Sequence, residues 1–181
     1  MADWTIITQG IINNATTSDL TFSGIPGTYQ HLELMVNWRG GHSSATLTPY
    51  FQLNGDSGSK YGSAGVFQLQ DTLSGNPTRI NQWASAANSG YCGHMPPDSA
   101  TAGAFSTQQM IIPNYANTSE YKVVMTRGGM GQIDSFGESY FVVGQFDSTA
   151  AITSINLIDW PSGGTNYFEQ GTSYMLAGYS G

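Results

Sequence analysis

Two short stretches and one scattered set of residues in this chain have the types that could do chemistry. The first stretch is Cys92-Gly93-His94, which sets the only cysteine two residues from an imidazole. A thiol nucleophile needs an imidazole to take its proton and a third group to orient that imidazole. Two positions apart in a glycine-rich run give no such preorganisation, so the sequence predicts a structural free thiol. The second stretch is Asn54-Gly55-Asp56-Ser57-Gly58-Ser59. Oxygen ligands at alternate positions are what a hard cation such as calcium needs. The bidentate glutamate at the twelfth loop position is missing, since Phe67 stands nearest that register, flanked by Val66 and Gln68. Asn-Gly favours the positive-φ pair of a type I′ turn, so the stretch is read as a hairpin turn. The scattered set is the carboxylates Glu33, Glu120, Glu138 and Glu169, which a fold could pair for glycoside hydrolysis. Nothing in their neighbourhoods distinguishes any of them.

The remaining histidines add little. His31 falls on the polar side of a predicted strand, and His42 follows Gly40-Gly41 in a turn. No G-x-S-x-G elbow, phosphate loop, H-E-x-x-H pair or dinucleotide fingerprint occurs. The sequence therefore assigns no catalytic residue, no cofactor and no metal, and the chain is read as a non-enzyme.

The elements that must position these residues are strands. Good helix formers are scarce and Gly or Pro interrupts most windows. Thr28–Arg39 alternates clearly: Leu32, Leu34, Val36 and Trp38 fall on one face, and His31, Glu33, Met35, Asn37 and Arg39 on the other. Ala45–Leu53 repeats the pattern with Leu47, Phe51 and Leu53 inward, and Pro49 marks an edge or a bulge. Thr5–Ile12, Val66–Leu69, Phe105–Ile112, Glu120–Thr126, Ser139–Phe146, Ala151–Ile158 and the last ten residues are further strand candidates. In that last stretch both faces are apolar, which predicts a central strand or an interface strand. Turn signals separate the candidates at Ile25-Pro26-Gly27, Asn54-Gly55-Asp56, Asn114–Asn117, Arg127-Gly128-Gly129 and Pro161–Gly164. Eight to ten strands without helix predict a single all-β domain over 1–181, an antiparallel β-sandwich and in particular a jelly roll, with an immunoglobulin-like sandwich as the alternative.

Residues 57–103 read differently. Gly, Ser, Ala and Asn dominate, with Pro77, Pro96 and Pro97, and alternation fades apart from Val66–Leu69. This is read as a long irregular insertion projecting from the sandwich. Trp83, Tyr91 and Met95 lie in it, and large apolar groups on a projecting loop form a candidate partner interface. The competing reading is that they pin the loop to its own sandwich.

Composition narrows the function classes. Charged residues make up 9% of the chain, while apolar residues make up 39% and aromatics 12%. That is not a disordered composition. A surface covered by neutral polar groups suits a protein packed against neighbours, because such groups desolvate at lower cost than charges. Net charge is −7, and the five cations Arg39, Lys60, Arg79, Lys122 and Arg127 are never adjacent. Nucleic acid and anionic membranes both need a clustered cationic footprint, so neither is expected as a partner. One cysteine allows no intrachain disulfide, no run reaches membrane-spanning length, and the N-terminus shows no signal-peptide pattern. Synthesis in a reducing cytoplasm is expected.

Five segments, in order, carry a family resemblance: Phe22–Leu34 (FSGIPGTYQHLEL), Leu53–Tyr61 (LNGDSGSKY), Ile112–Arg127 (IPNYANTSEYKVVMTR), Thr149–Leu157 (TAAITSINL) and Phe168–Tyr179 (FEQGTSYMLAGY). Together the chain resembles a family of small β-sandwich structural proteins of tailed bacteriophages. The resemblance implies a virion structural protein made in the host cytoplasm, with no catalytic residues. The leading expectation is a capsid decoration (cement) protein that stabilises the phage head, a homotrimer contacting the major capsid protein or other virion proteins. The alternative is a tail-fibre or tail-adaptor subunit, with possible host-glycan binding.

Overall fold

A computed structural model describes residues 3–14, 17–42, 47–71, 78–132, 136–159 and 168–180. The described residues form twelve strands and no helix. In chain order these are β1 (Trp4–Ile11), β2 (Asp19–Ser23), β3 (His31–Trp38), β4 (Pro49–Leu53), β5 (Tyr61–Asp71), β6 (Thr78–Ala87), β7 (Gly90–Tyr91), β8 (Ser106–Pro113), β9 (Lys122–Gln132), β10 (Phe136–Phe146), β11 (Ser154–Asp159) and β12 (Ser173–Tyr179). They build two antiparallel sheets. The larger has eight strands in the order β1-β12-β3-β8-β9-β10-β5-β6, and the smaller has four in the order β2-β11-β4-β7. The two inner faces pack on a main core and on a smaller cluster of Phe67, Tyr91, Tyr140 and Val142, as in a β-sandwich.

Period-2 patterning produces this directly. In β3, Leu32, Leu34, Val36 and Trp38 are all buried, as their alternation predicts. From the smaller sheet Phe22, Phe51, Leu53, Ile155 and Leu157 meet them across the sandwich. Tyr61 joins the layers. Its ring stacks on Phe146 with centroids 4.9 Å apart, and its hydroxyl accepts from Leu53 N (2.9 Å) and donates to Asp56 O (2.8 Å). The smaller sheet's outer face is mostly polar, with Ile158 and Tyr50 half-buried at one end. It shows Asp19, Thr21 and Ser23 from β2, and the Thr21 hydroxyl donates to Asn156 Oδ1 at 2.9 Å across the pair.

Several sequence expectations need correction. Residues 57–103 are not structureless: they supply β5 and β6 to the larger sheet and β7 to the smaller. Small residues hid this because they are needed for close packing. A Cβ on Gly65 would stand 2.7 Å from Phe141 O, and one on Gly90 would enter the Phe51 ring. Arg127-Gly128-Gly129 is not a turn but the middle of β9, where a Cβ on Gly129 would lie 2.7 Å from Glu138 O. Asn54-Gly55 does form the positive-φ pair, at 56° and 65°, closed by Asp56 N donating to Leu53 O at 3.0 Å. It is not a hairpin, since β4 and β5 belong to different sheets and the turn carries the chain between them. Pro49 opens β4, a position where no ladder donor is lost. The proposed turn Pro161–Gly164 lies outside the described residues.

Arg39 is the largest departure on a single side chain. It follows the polar column of β3 yet is buried. Its guanidinium donates to four carbonyls: Asp98 O (2.6 Å), Ala100 O (2.9 Å), Thr101 O (2.9 Å) and Ala104 O (3.5 Å). A planar fork of donors suits a curl of backbone acceptors. Lys122 does the same for another loop, donating to Asn117 O (2.6 Å), Glu120 O (2.7 Å) and Thr149 O (3.3 Å). Burial holds its ammonium below the usual lysine range. Two of the five cations are thus structural anchors.

Candidate interaction surface

The chemistry-bearing residues come first. The segment after β7 folds over the inner face of the larger sheet beside β10. Gly93 makes the bend at φ 125°, where any side chain would enter the Tyr140 ring. Cys92 N donates to Pro49 O at 3.1 Å, and Cys92 O accepts from the Gln108 amide. The thiol is fully buried and burial pushes it well above the ordinary thiol range. Burial in an apolar site favours the neutral thiol over the thiolate. His94 bonds away from it: Nδ1 lies 2.6 Å from Glu138 Oε2, whose carboxyl is buried. Phe67, Tyr91 and Tyr140 enclose this pair, and burial raises both tyrosine hydroxyls above the usual phenol range. The arrangement fastens the 92–95 segment to β10.

The other candidates resolve similarly. Asp56 is taken up within its own turn. Its carboxylate accepts from Lys60 Nζ at 2.6 Å and from Gly58 N at 2.8 Å, which holds it below the usual carboxylate range. Among the described residues no group of three or more His, Cys, Asp or Glu side chains could hold a metal ion. Glu33 and Glu138 sit on opposite faces of the larger sheet, so they cannot flank one glycosidic bond. Met95 and Tyr91 are both buried. Met95 exchanges both backbone hydrogen bonds with Leu47, and the Tyr91 ring packs edge-on against Phe67 and Tyr50. As an exposed partner surface these two are therefore corrected: they pin their segment onto the sandwich. The Trp83 side chain lies outside the described residues.

The exposed apolar surface is elsewhere, on the outer face of the eight-stranded sheet. Cross-strand register places Val143 beside Met125 and Ala64, and Phe141 beside Arg127 and Val66. Phe141 is 48% exposed and Val66 44%, with Val123, Val143, Met35 and Ile6 close behind. Met125, Ile111 and Met175 are half-buried between them. A polar chain crosses the middle of this face. Tyr179 Oη and Gln109 Nε2 donate to the two oxygens of Glu33, and Arg127 Nε donates to Gln109 Oε1. Partial burial and the neighbouring Glu33 hold the Tyr179 phenol up at about 12, so it stays a donor. Over β12, β3, β8, β9, β10 and β5, Glu33 is the one carboxylate and Arg127 the one guanidinium at the outward positions of the described residues.

Sequence reasoning missed this surface, although the signal was present. In Ser139–Phe146, Tyr140 and Val142 face one way while Phe141 and Val143 face the other. This is the same two-faced apolar pattern that marks the terminal strand. That strand does sit inside the sheet, between β1 and β3. No helix of the described residues is long and apolar enough to cross a membrane. Comparison of the chain with protein-family models, with curated proteins and with solved structures finds no match.

Proposed function

We propose that the chain is a virion structural protein, a capsid decoration (cement) subunit of a tailed bacteriophage that works by packing against protein and not by catalysis. One observation carries this reading: the outer face of the larger sheet is lined by Val66, Val123, Phe141 and Val143 where a solvent-facing sheet would show polar residues. The low charge content and the ordered resemblance to phage β-sandwich proteins support it. We read the sandwich as a jelly roll, an architecture frequent in viral shells. The partners are further copies of the chain and the major capsid protein. Many modest contacts repeated around a shell reinforce it through multivalency.

The test is the position and copy number of the chain in imaged, purified particles of the phage that encodes it. Hundreds of copies spread over the shell are expected. A handful at one vertex would make it a tail-fibre or tail-adaptor subunit, and absence from the particle would remove the virion role.

A further inference from the structure

We propose that the outward face of the eight-stranded sheet binds the same face of a second copy of this chain, forming a two-fold pair. The inference rests on reading that face as an assembly surface and names its occupant.

Charge is the first argument. The chain carries a net charge of −7, so copies repel one another over most of their surface. On the six strands from β12 to β5, however, the outward positions hold one carboxylate, Glu33, and one guanidinium, Arg127. Both are bonded to Gln109 of β8, which lies between them, so they are fixed on either side of one central strand. A two-fold axis running along β8, in the plane between two facing sheets, lays β3 of each copy over β9 of the other. Glu33 and Arg127 are then one side-chain row out of step, about 7 Å along the strand, which a long arginine side chain spans. Two crossed ion pairs result from one operation. This is the self-complementarity that an isologous contact requires.

The apolar residues obey the same operation. β12 falls over β10, and β1 over β5. Val143 then meets Ala177, which is small and sunk between Ile6 and Glu33. Phe141 meets Met175, a thioether against an aromatic ring. Ala64 meets Ile6 of β1, and Val66 falls over Gln9 one row along. Large residues on one half of the face thus oppose small or adaptable ones on the other. Six strands at ~4.8 Å spacing and four outward rows give a footprint of roughly 600 Å² before side-chain relief is counted. That approaches the ~800 Å² per partner of a standard stable interface.

Sedimentation velocity on the full chain tests the proposal, with circular dichroism confirming that each variant is folded. The wild-type protein is expected to sediment as a dimer. Arg127→Glu and Glu33→Arg each set like charges together and should weaken dimerisation about tenfold or more. The double variant Glu33→Arg/Arg127→Glu should recover the wild-type association to within about threefold, because the crossed pairs re-form with reversed sign. Phe141→Ser, which leaves the charges alone, should also weaken the dimer at least about tenfold. A monomer at the highest soluble concentration, a trimer, or single charge variants without effect would overturn the proposal, as would failure of the double variant to recover. Particle imaging reads the virion role separately. A chain found on the shell yet monomeric in solution sinks this inference alone, whereas a dimer absent from particles sinks only the virion role.

Discussion

The outer faces of the two sheets differ in how much apolar surface they show. Outward residues of the four-stranded sheet include Asp19, Thr21, Ser23, Gln52 and Asn156, with a threonine–asparagine hydrogen bond spanning β2 and β11. This is the ordinary half-wet surface of an antiparallel sandwich. On the eight-stranded sheet Val66, Val123, Met35, Phe141 and Val143 stand outward and exposed on either side of the Glu33–Gln109–Arg127 chain. Both faces answer to the same core and the same alternation, so fold stability cannot account for the difference. An outward phenylalanine or valine adds little to folding, and a continuous set of them is a hazard unless something covers it. The contrast separates a face suited to water from the face that the proposed assembly role would cover.

The severest challenge to that contrast lies in the shared interior. Leu34 is almost fully buried on the inner side of β3. Leu34→Asp should cost about 4 kcal/mol or more and prevent soluble folding, because it strands a charge in an apolar core. Soluble, cooperatively melting protein would show that inside and outside have been assigned the wrong way round.

A smaller loss is expected at the end of the outward column of β3. Arg39→Ala removes the donor to four carbonyls between Asp98 and Ala104. Urea titration should show a loss of about 2–3 kcal/mol, since hydrogen bonds to a charged group are worth more than neutral ones. An unchanged midpoint would mean that the 98–104 curl is held without it.

Alkaline pH probes the seam between the sheets. Burial lifts the Tyr61 phenol from 10 to about 12. The unfolded chain therefore loses this proton first, and the stability in place below pH 10 falls as pH rises through 12. Tyr61→Phe should cost about 1 kcal/mol at pH 7, because Leu53 N and Asp56 O lose their partner, and its stability should fall less steeply with alkali. Parallel alkaline profiles for the two proteins would exclude Tyr61 as the responsible group.

The smallest expected effects sharpen the comparison most. Phe141→Ser on the larger sheet and Thr21→Val on the smaller should each change monomer stability by no more than about 0.5 kcal/mol. At a concentration low enough for wild type and variants all to be monomeric, dye binding to exposed apolar surface should drop for the first and stay level for the second. If both variants behave alike in that assay, the two outer faces do not differ in kind.

Much of the fold was legible because one-sided alternation survives in β3, β4, β8 and β11, each of which buries one row against the opposite sheet. What was illegible followed from contacts that sequence spacing does not encode. The β5–β6 pair, apart from Val66–Leu69, reads as loop because its close approach at Gly65 calls for a small residue. Gly128 and Gly129 looked like a turn because the glycines serve the neighbouring strands and not a bend. Arg39 looked like a surface charge because its acceptors are carbonyls about sixty residues further along the chain. Trp83, Tyr91 and Met95 read as a partner surface because an irregular segment is expected to expose its large side chains. Two of the three instead fill the space between segment and sheet.

One topological detail bears on how the molecule comes into being. Among the described residues β12 follows every other strand in sequence but is hydrogen-bonded between β1 and β3. Until it is made, β1 has no neighbour in its sheet and one edge of β3 is bare. At a typical rate of synthesis that exposure lasts roughly ten seconds. The final step also joins residues at opposite ends of the sequence, Trp4 with Tyr179, so it carries a large loop-closure entropy and cannot proceed as a simple hairpin zipper. A nascent chain of this kind spends its early life as a sheet with a gap of one strand's width, open to any extended segment that arrives before its own.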